Sequence, residues 1–174
     1  MENKYEVKGV KSFRGMEGYG FNATLYRNGK KVAFVMDSAQ GGEYDYEWVD
    51  YKKPRVDVPI VELQGKSTKS YKGTPEEKLF HEHCLAIPPE EKEYFKGKPE
   101  MYNMIPDSYM GQLVDEFEHK KWLKRNCKNK TLFRLVGDKE DEFRTIKHPY
   151  DEHVKKYLED KLGKKLKVII NETL

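Results

Sequence analysis

The sequence predicts an α+β fold with an N-terminal antiparallel β-sheet, a helical middle, and a C-terminal β-hairpin, helix and strand. Three observations predict it. Two alternating apolar runs flank Asn28-Gly29, a capping box opens a helical pattern at Thr74, and strand-like alternation returns after Lys130. A period of two is typical of strands, and a period of about 3.6 is typical of helices.

Composition limits the size of the core and the class of protein. Of 174 residues, 36% are charged and 37% are apolar, whereas ~25% and ~45–50% are usual. Twelve Tyr and eight Phe argue against a disordered chain, because disordered segments are poor in aromatic residues. The net charge of +3 is too mild to indicate nucleic-acid binding by itself.

The only two cysteines, Cys84 and Cys127, lie far apart in the sequence. This usage fits a reducing compartment better than a disulfide framework. The N-terminus carries no apolar signal-peptide core, and no run approaches the ~18 apolar residues that span a bilayer. We therefore expect a soluble cytoplasmic protein with no membrane partner.

The first sheet is predicted from the segment around Asn28-Gly29. This pair favours a type I′ turn, because Asn and Gly accept a positive φ at both central positions. A first strand over residues 4–13 precedes the turn's own two strands. The turn predicts the pairs Arg27–Lys30, Leu25–Val32, Ala23–Phe34 and Phe21–Met36, which place the six apolar residues on one face.

A glycine-rich segment, Arg14–Gly20, joins the first two strands and holds three glycines in six residues. It predicts a turn or bulge with a close backbone approach. The alternative, a phosphate cradle, is disfavoured. The spacing matches neither the dinucleotide fingerprint nor the P-loop, and no helix follows it.

Acidic and aromatic residues alternate over Glu43–Tyr51, which predicts a strand with aromatics on one face and acids on the other. The aromatic face is interpreted as core, although an exposed face could stack bases. The acidic face blocks edge pairing or docks a basic partner. The candidate partner-binding residues are Tyr44, Asp45, Tyr46, Glu47 and Trp48.

The predicted organisation is a β region over residues 1–63, a loop over 64–73, and a region with helices and the C-terminal hairpin over 74–174. Thr74-Pro75-Glu76-Glu77 begins a helix with Phe80, Cys84 and Ile87 on its buried face. Residues 90–95 are predicted as a further helical turn and 98–106 as a loop.

A long helix is predicted from a cap at Asp107 or Ser108 to Asn126. Its buried face carries Met110, Leu113, Val114 and Phe117. A hairpin follows over residues 130–136 and 142–146, and then a helix from Asp151 with Val154, Tyr157 or Leu158, and Leu162 inward. Gly163 is its C-cap, and residues 166–170 form a last strand.

A basic segment between Lys120 and Lys130 is the candidate anion site. It is either the solvated end of a helix or, with nearby arginines, a phosphate-facing patch. If Leu135 faces Phe143 in the second hairpin, Arg134 lies opposite Arg144, a like-charge pair that needs an internal carboxylate or a bound anion. The candidate residues are Lys120, Lys121, Lys124, Arg125, Lys128, Lys130, Arg134 and Arg144.

The run His81-Glu82-His83-Cys84 is the most metal-like in the chain. On a helix His81 and Cys84 share a side while His83 points elsewhere, and a zinc site needs about four ligands with set spacing. A structural role is favoured for all three side chains. No cofactor is expected, and the sequence leaves open whether the protein is an enzyme.

The two ends of the chain carry distinctive motifs: Ser12–Tyr26 with Gly41-Gly42 and an aromatic strand, then Lys130–Leu135, Phe143–Ile146, Pro149-Tyr150 and Ile170–Glu172. In these motifs the chain resembles small uncharacterised phage and prophage accessory proteins. The resemblance implies a mobile-element origin and action inside a host bacterial cell. It carries over no site residues.

Three functions are therefore weighed. The leading hypothesis is a non-catalytic accessory protein that binds a host protein or protein–nucleic-acid complex and counteracts a host defence complex. The second is a protein that binds DNA or RNA through the basic segment. The third is a metal-dependent enzyme that processes nucleic acid with His81, His83 and Cys84.

Overall fold

The structure is a computed structural model that describes residues 3–93 and 97–174. It is a mixed α+β fold, as the sequence predicts, and it divides into two compact units. The first unit ends at Phe117 and the second begins at Glu118, so the boundary falls inside helix α2 (Pro106–Cys127). No helix among the described residues is both long and apolar enough to cross a membrane.

The first unit is built around a four-stranded antiparallel sheet in the order β1-β2-β3-β4. The predicted hairpin is confirmed, with φ of 51° at Asn28 and 78° at Gly29. Both angles lie in the left-handed region that a type I′ turn requires. The strands are β1 (Tyr5–Gly15), β2 (Gly18–Arg27), β3 (Lys30–Asp37) and β4 (Asp45–Trp48).

A bulge corrects the predicted register of this hairpin. Arg27 pairs with Lys30 as expected, but the register then shifts so that Leu25 lies opposite Ala33. Val32 is the extra residue, and it is buried together with Ala33 and Val35. The prediction that Phe34 and Met36 share the buried face is wrong, because one extra residue moves every later side chain to the opposite face.

The glycine-rich segment forms the tight turn between β1 and β2, where Gly15 pairs with Gly18. The predicted close approach is confirmed at Gly20. A Cβ there would collide with the carbonyl oxygen of Asp37 and the ring of Phe13. The segment therefore has a structural reason for its glycines.

The rest of the first unit contains two small hairpins and helix α1. Part of the segment predicted as a loop forms a strand over Ser70–Gly73. The helical turn predicted over residues 90–95 is wrong at Glu90–Lys92, which forms a strand, and its residues 94 and 95 lie outside the described residues. The partner strand, Glu100–Tyr102, lies in the segment predicted as a loop over 98–106. The elements are β5 (Val56–Pro59), β6 (Ser70–Gly73), α1 (Pro75–Ala86), β7 (Glu90–Lys92) and β8 (Glu100–Tyr102).

Helix α1 begins where the sequence predicts, with Thr74 as N-cap and a complete capping box with Glu77. Phe80 and Cys84 are fully buried against the large sheet. Arg27, at the end of β2, donates two hydrogen bonds of 2.9 Å to the carboxylate of Glu76 in the first turn of α1. This ion pair fixes the helix to the sheet from inside the fold.

Helix α2 presents the predicted apolar face, with Met110, Leu113 and Val114 buried. Its start differs from the prediction. The helix begins at Pro106, so Asp107 lies inside the first turn rather than at the cap. The carboxylate of Asp107 instead bonds to β4, as described below.

The second unit is a three-stranded antiparallel sheet in the order β10-β9-β11, packed with helix α3. Asp151 caps α3 through the amide of Val154, and Gly163 ends it with a φ of 48°. Leu158 is the inward residue, because Tyr157 is 51% exposed. The elements are β9 (Thr131–Leu135), β10 (Arg144–Ile146), α3 (Glu152–Leu162) and β11 (Leu166–Ile169), with a 3₁₀ turn at Ile170–Glu172.

Candidate functional site

The first unit contains a cleft of about 560 Å³. Four parts of the unit line it: the segment from Glu43 through β4, the β5–β6 hairpin, one side of α1, and the start of α2. Its walls combine aromatic rings with carboxylates, as in a site that holds a ligand in a fixed orientation. We refer to this feature as the acidic cleft.

The aromatic wall comes from β4. The rings of Tyr46 and Trp48 stack with centroids 5.5 Å apart, and both lie within about 6 Å of the ring of Phe80 in the core. Trp48 is buried and Tyr46 is half-buried. The aromatic face of β4 thus packs into the core, as the sequence favours, while parts of the rings line the cleft.

Asp107 holds β4 against the start of α2. Its carboxylate accepts a hydrogen bond from the backbone N–H of Tyr44 and one from the hydroxyl of Tyr46, each 2.9 Å long. Burial raises the pKa of Tyr46 strongly, and the nearby negative charge of Asp107 raises it further. The tyrosine therefore stays protonated and keeps donating to the carboxylate of Asp107 in the cleft wall.

Glu77 supplies a second fixed carboxylate. It accepts from the backbone N–H of Thr74 at 3.0 Å, which completes the capping box, and from the hydroxyl of Tyr71 at 2.8 Å. Burial raises the pKa of Tyr71, and its hydrogen bond to Glu77 and the charges of Glu77 and Glu43 raise it further. One carboxylate thus caps a helix and lines the cleft.

His81 lies beside this pair. Its Nδ1 is 2.8 Å from the carbonyl oxygen of Pro59. A carbonyl only accepts hydrogen bonds, so Nδ1 carries a hydrogen and the neutral ring has its lone pair on Nε2. That atom is 3.5 Å from the hydroxyl of Tyr71, whose hydrogen already goes to Glu77.

The acidic cleft has an excess of negative charge. Its walls include Glu43, Asp45, Glu77 and Asp107 but no lysine or arginine. Within the described part of the chain, none of these four carboxylates forms an ion pair. Carboxylates in a cleft with low-dielectric walls concentrate negative potential, and aromatic faces also attract cations.

The predicted partner-binding residues divide between two surfaces. Tyr44, Asp45, Tyr46 and Trp48 all line the acidic cleft. Glu47 lies instead in a neighbouring depression that also contains Lys31 and Arg55. Two other members of the cleft, Asp107 and Tyr71, lie far from β4 in the sequence and were not predicted as site residues.

The predicted metal-like residues do not converge. His81 lines the cleft, whereas the Nε2 of His83 lies 3.1 Å from the hydroxyl of Tyr109. Cys84 is fully buried, and burial raises the pKa of its thiol to about 12. Among the residues that the structure describes, no group of three or more His, Cys, Asp or Glu is placed to share a metal ion.

Some cations of the basic segment have a hydrogen-bond or ion-pair partner, and others form no ion pair within the described residues. Lys121 lies 3.8 Å from Glu118, and Lys130 donates to the side chain of Asn126. Arg134 donates to the carbonyl oxygen of Glu140. Over residues 3–93 and 97–174 no ion pair involves the remaining cations of α2 and the turn after it, which are Lys120, Lys124, Arg125 and Lys128.

The predicted opposition of Arg134 and Arg144 is wrong. Arg144 lies opposite Phe133, one position away from the predicted register. Arg144 instead donates two hydrogen bonds of 2.9 Å to Asp138. The carboxylate that the sequence allowed for is therefore internal. Arg144 and the amide of Leu135 lower the pKa of Asp138 to about 2.

An aromatic cluster beside this segment was not predicted. His119, Trp122 and Phe143 lie together, with ring centroids between 5.7 and 6.3 Å apart. One signal was present in the sequence: His119 and Trp122 are three positions apart on a helix, which makes them neighbours. Phe143 joins the cluster because of the way β10 pairs with β9. No pattern in the neighbouring sequence indicates that contact.

Comparisons with protein-family models, with curated proteins and with solved structures found no match to this chain.

Proposed function

We propose that this protein is a non-catalytic binding protein that takes a basic segment of a partner protein into the acidic cleft. One observation carries the proposal. Four carboxylates line a single cleft together with three aromatic side chains, which come from β4 and the residue before it. Within the described residues, no lysine or arginine forms an ion pair with these carboxylates. A lysine or arginine side chain of a partner complements both features.

The size of the cleft agrees with this ligand. About 560 Å³ lies within the ~300–1,000 Å³ of pockets that enclose a ligand, and it accommodates a long side chain with part of its backbone. Each cation–π contact contributes about 0.5–2 kcal/mol, depending on desolvation. The fixed carboxylates of Asp107 and Glu77 need no rearrangement to receive a cation, because their own hydrogen bonds already hold them.

His81 contributes a polar group to the wall of the cleft. Its Nδ1 donates to the carbonyl oxygen of Pro59, which holds the ring in place, and its Nε2 lies 3.5 Å from the hydroxyl of Tyr71. We assign this side chain to the wall of the binding site.

The resemblance to phage and prophage accessory proteins suggests the kind of partner. A small protein of a mobile element that acts by binding meets host proteins inside the bacterial cell. We propose that the partner is a host protein with an exposed basic segment, and that binding it counteracts a host defence complex.

The direct test uses the fluorescence of Trp48, which lines the cleft. Trp122→Phe leaves Trp48 as the single tryptophan, and the protein is titrated with a Lys/Arg-rich heptapeptide and with its Gln-substituted counterpart. Glu43→Gln/Asp45→Asn removes two exposed charges whose carboxylates form no hydrogen bond or ion pair with the residues that the structure describes. We expect about tenfold weaker binding of the basic peptide, because exposed ion pairs contribute up to ~1 kcal/mol each.

The matched control is Glu140→Gln/Asp141→Asn, which makes the same change of charge on exposed residues of the second unit. We expect this control to bind as the parent does. Equal weakening by both variants, or equal binding of the neutral peptide, would contradict the proposal. Capture from a bacterial lysate with the same pair of variants then tests whether a host partner depends on the cleft.

A further inference from the structure

We propose that the second unit carries a stacking site for single-stranded nucleic acid, formed by His119, Trp122 and Phe143 and bordered by the cations of α2. The site lies in a different unit from the acidic cleft and does not depend on the proposed function. We call these three side chains the aromatic platform. From the basic segment alone, nucleic-acid binding was one of several hypotheses. The aromatic platform gives that hypothesis a location and a class of ligand.

The three rings form one surface. Trp122 stacks on His119 with an interplanar angle of 13°, and the ring of Phe143 lies 5.7 Å from that of Trp122. Phe143 packs partly against a buried cluster that includes Leu123, so the platform has a fixed base. Arg134 lies over the ring of Phe143 at 5.6 Å and supports it further.

Trp122 is exposed where a core residue would be covered. It lies on α2 with 39% of its surface accessible, next to the buried Leu123. Together with the two adjoining rings, this exposed indole gives an accessible aromatic surface that a planar ligand can cover. Nucleic-acid bases do so without sequence preference, because every base has a π-face.

Available cations border the platform. Arg125 is three residues from Trp122 on the same helix, which makes the two side chains neighbours. Lys120 and Lys124 form a second row along the helix, and none of these cations is held in an ion pair within the described residues. The backbone phosphates of a strand whose base stacks on Trp122 would meet these charges.

The acidic turn after β9 restricts the path that the nucleic-acid backbone can take. Arg144 neutralises Asp138, but Glu140, Asp141 and Glu142 remain exposed near Phe143. These charges repel phosphate, so the backbone must run along α2 instead of over the turn. Arg134 and Arg144 are then structural residues, because their guanidinium groups already have partners on the turn.

The platform favours single strands over duplexes. Bases in a duplex stack on each other and present only their edges, whereas unpaired bases can lie on an aromatic surface. His119 and Trp122 are the exposed rings of the platform, so an unpaired base would lie on these two side chains.

The test is a fluorescence-anisotropy titration of dye-labelled ten-nucleotide dT and rU with the full chain at low salt, so that the signal comes from the oligonucleotide and not from a tryptophan. Trp122→Ala is expected to weaken binding about tenfold, and Trp122→Phe is expected to restore most of it because a ring is kept. Circular dichroism of both variants checks that the fold is intact. No binding of either oligonucleotide at low salt, or full binding by Trp122→Ala, would overturn the proposal.

Salt dependence tests the cation border separately. Lys124→Gln/Arg125→Gln should reduce the slope of log affinity against log salt by about 1.4, since each phosphate contact on a single strand contributes about 0.7. The matched control is Lys164→Gln/Lys165→Gln, two exposed cations of the same unit outside α2. Equal slopes for the two variants would overturn the assignment of α2, and equal binding of a duplex would overturn the single-strand assignment.

Discussion

The two units carry opposite charge and use their aromatic residues in opposite ways. Up to Phe117 the chain has 17 Lys and Arg and 20 Asp and Glu, and after it 16 and 10, so the units carry −3 and +6. The first unit packs its tryptophan into the core beside carboxylates. The second leaves its tryptophan exposed beside cations. The mild net charge of the whole chain therefore hides two surfaces suited to different ligands.

The same contrast appears in their ion pairs. Arg27–Glu76 and Arg144–Asp138 are both bidentate, with two bonds of 2.9 Å each. The two carboxylates are covered to the same degree, since the Glu76 side chain is 10% exposed and that of Asp138 11%. The arginines differ, because the Arg27 side chain is 21% exposed and that of Arg144 54%. The comparison of the two pairs therefore isolates the exposure of the guanidinium group.

The largest expected effect concerns the two cores. Phe80→Ala removes a fully buried ring that contacts Tyr5, Tyr46 and Trp48. We expect the free energy of unfolding of the first unit to fall by about 3–5 kcal/mol, because the cavity cannot close around such rigid neighbours. Urea unfolding followed by Trp48 emission in a Trp122→Phe background measures it.

The counterpart in the second unit is Leu158→Ala, followed by Trp122 emission in a Trp48→Phe background. We expect a loss of about 2–5 kcal/mol from a fully buried aliphatic residue. A loss below about 1 kcal/mol for Phe80→Ala would show that the aromatic cluster does not stabilise the first unit as its packing implies.

The next effect separates the two ion pairs. Arg27→Met leaves the carboxylate of Glu76 without its cation in a nearly buried position. We expect a loss of about 3 kcal/mol, because an uncompensated charge in such a place is strongly destabilising. Urea unfolding with Trp48 emission measures this loss.

Arg144→Met is the matched change in the pair with the exposed arginine. Its loss should be smaller, because removal of an exposed guanidinium admits water to Asp138, and this carboxylate keeps its hydrogen bond from the amide of Leu135. Acid should act on this second pair. The pKa of Asp138 is lowered to about 2, so its contribution is full above the ordinary pKa of Asp, about 3.9, and is lost as the pH falls toward 2. Equal losses from both arginine variants would refute the role of burial.

The smallest expected effect compares the two thiols. Cys84 is fully buried and Cys127 is half-buried; burial raises the pKa of both and takes that of Cys84 to about 12. At pH 8 we expect a disulfide reagent to modify Cys127 and to leave Cys84 unmodified in the folded protein. Mass spectrometry of the labelled peptides distinguishes them.

The pH dependence of stability has a definite sign for Cys84. Its raised pKa means that its contribution is full below the ordinary thiol pKa of about 8.5 and is lost as the pH rises toward 12. Cys84→Ala should therefore flatten the loss of stability above about pH 9. A fast reaction of Cys84 at pH 8 would contradict its burial.

Local chemistry explains which parts of the fold could be predicted. The Asn28-Gly29 turn and the Thr74 capping box depend on adjacent residues, and both form as the sequence indicates. The bulge at Val32 depends on which side chains fill the core behind it. The strand over Glu90–Lys92 has no apolar alternation and exists through its pairing with Glu100–Tyr102.

The candidate site was predicted only where it follows one strand. Tyr44 to Trp48 were selected because they alternate along β4. Asp107 lies 61 positions from Tyr46, and their hydrogen bond depends on where α2 begins relative to the sheet. The hydrophobic periodicity of a sequence does not indicate a contact between residues so far apart. The aromatic platform likewise depends on Phe143. The position of this residue follows from the pairing of β10 with β9, which the predicted turn over residues 137–141 does not fix.

Glu77 has a consequence for how this chain tolerates change over generations. The carboxylate that completes the start of α1 also receives the hydroxyl of Tyr71 in the cleft wall. A mutation that removes this charge frays the start of the helix and also changes the wall of the cleft. Selection for a stable fold therefore preserves the proposed binding surface at this position, even through periods in which no partner is present.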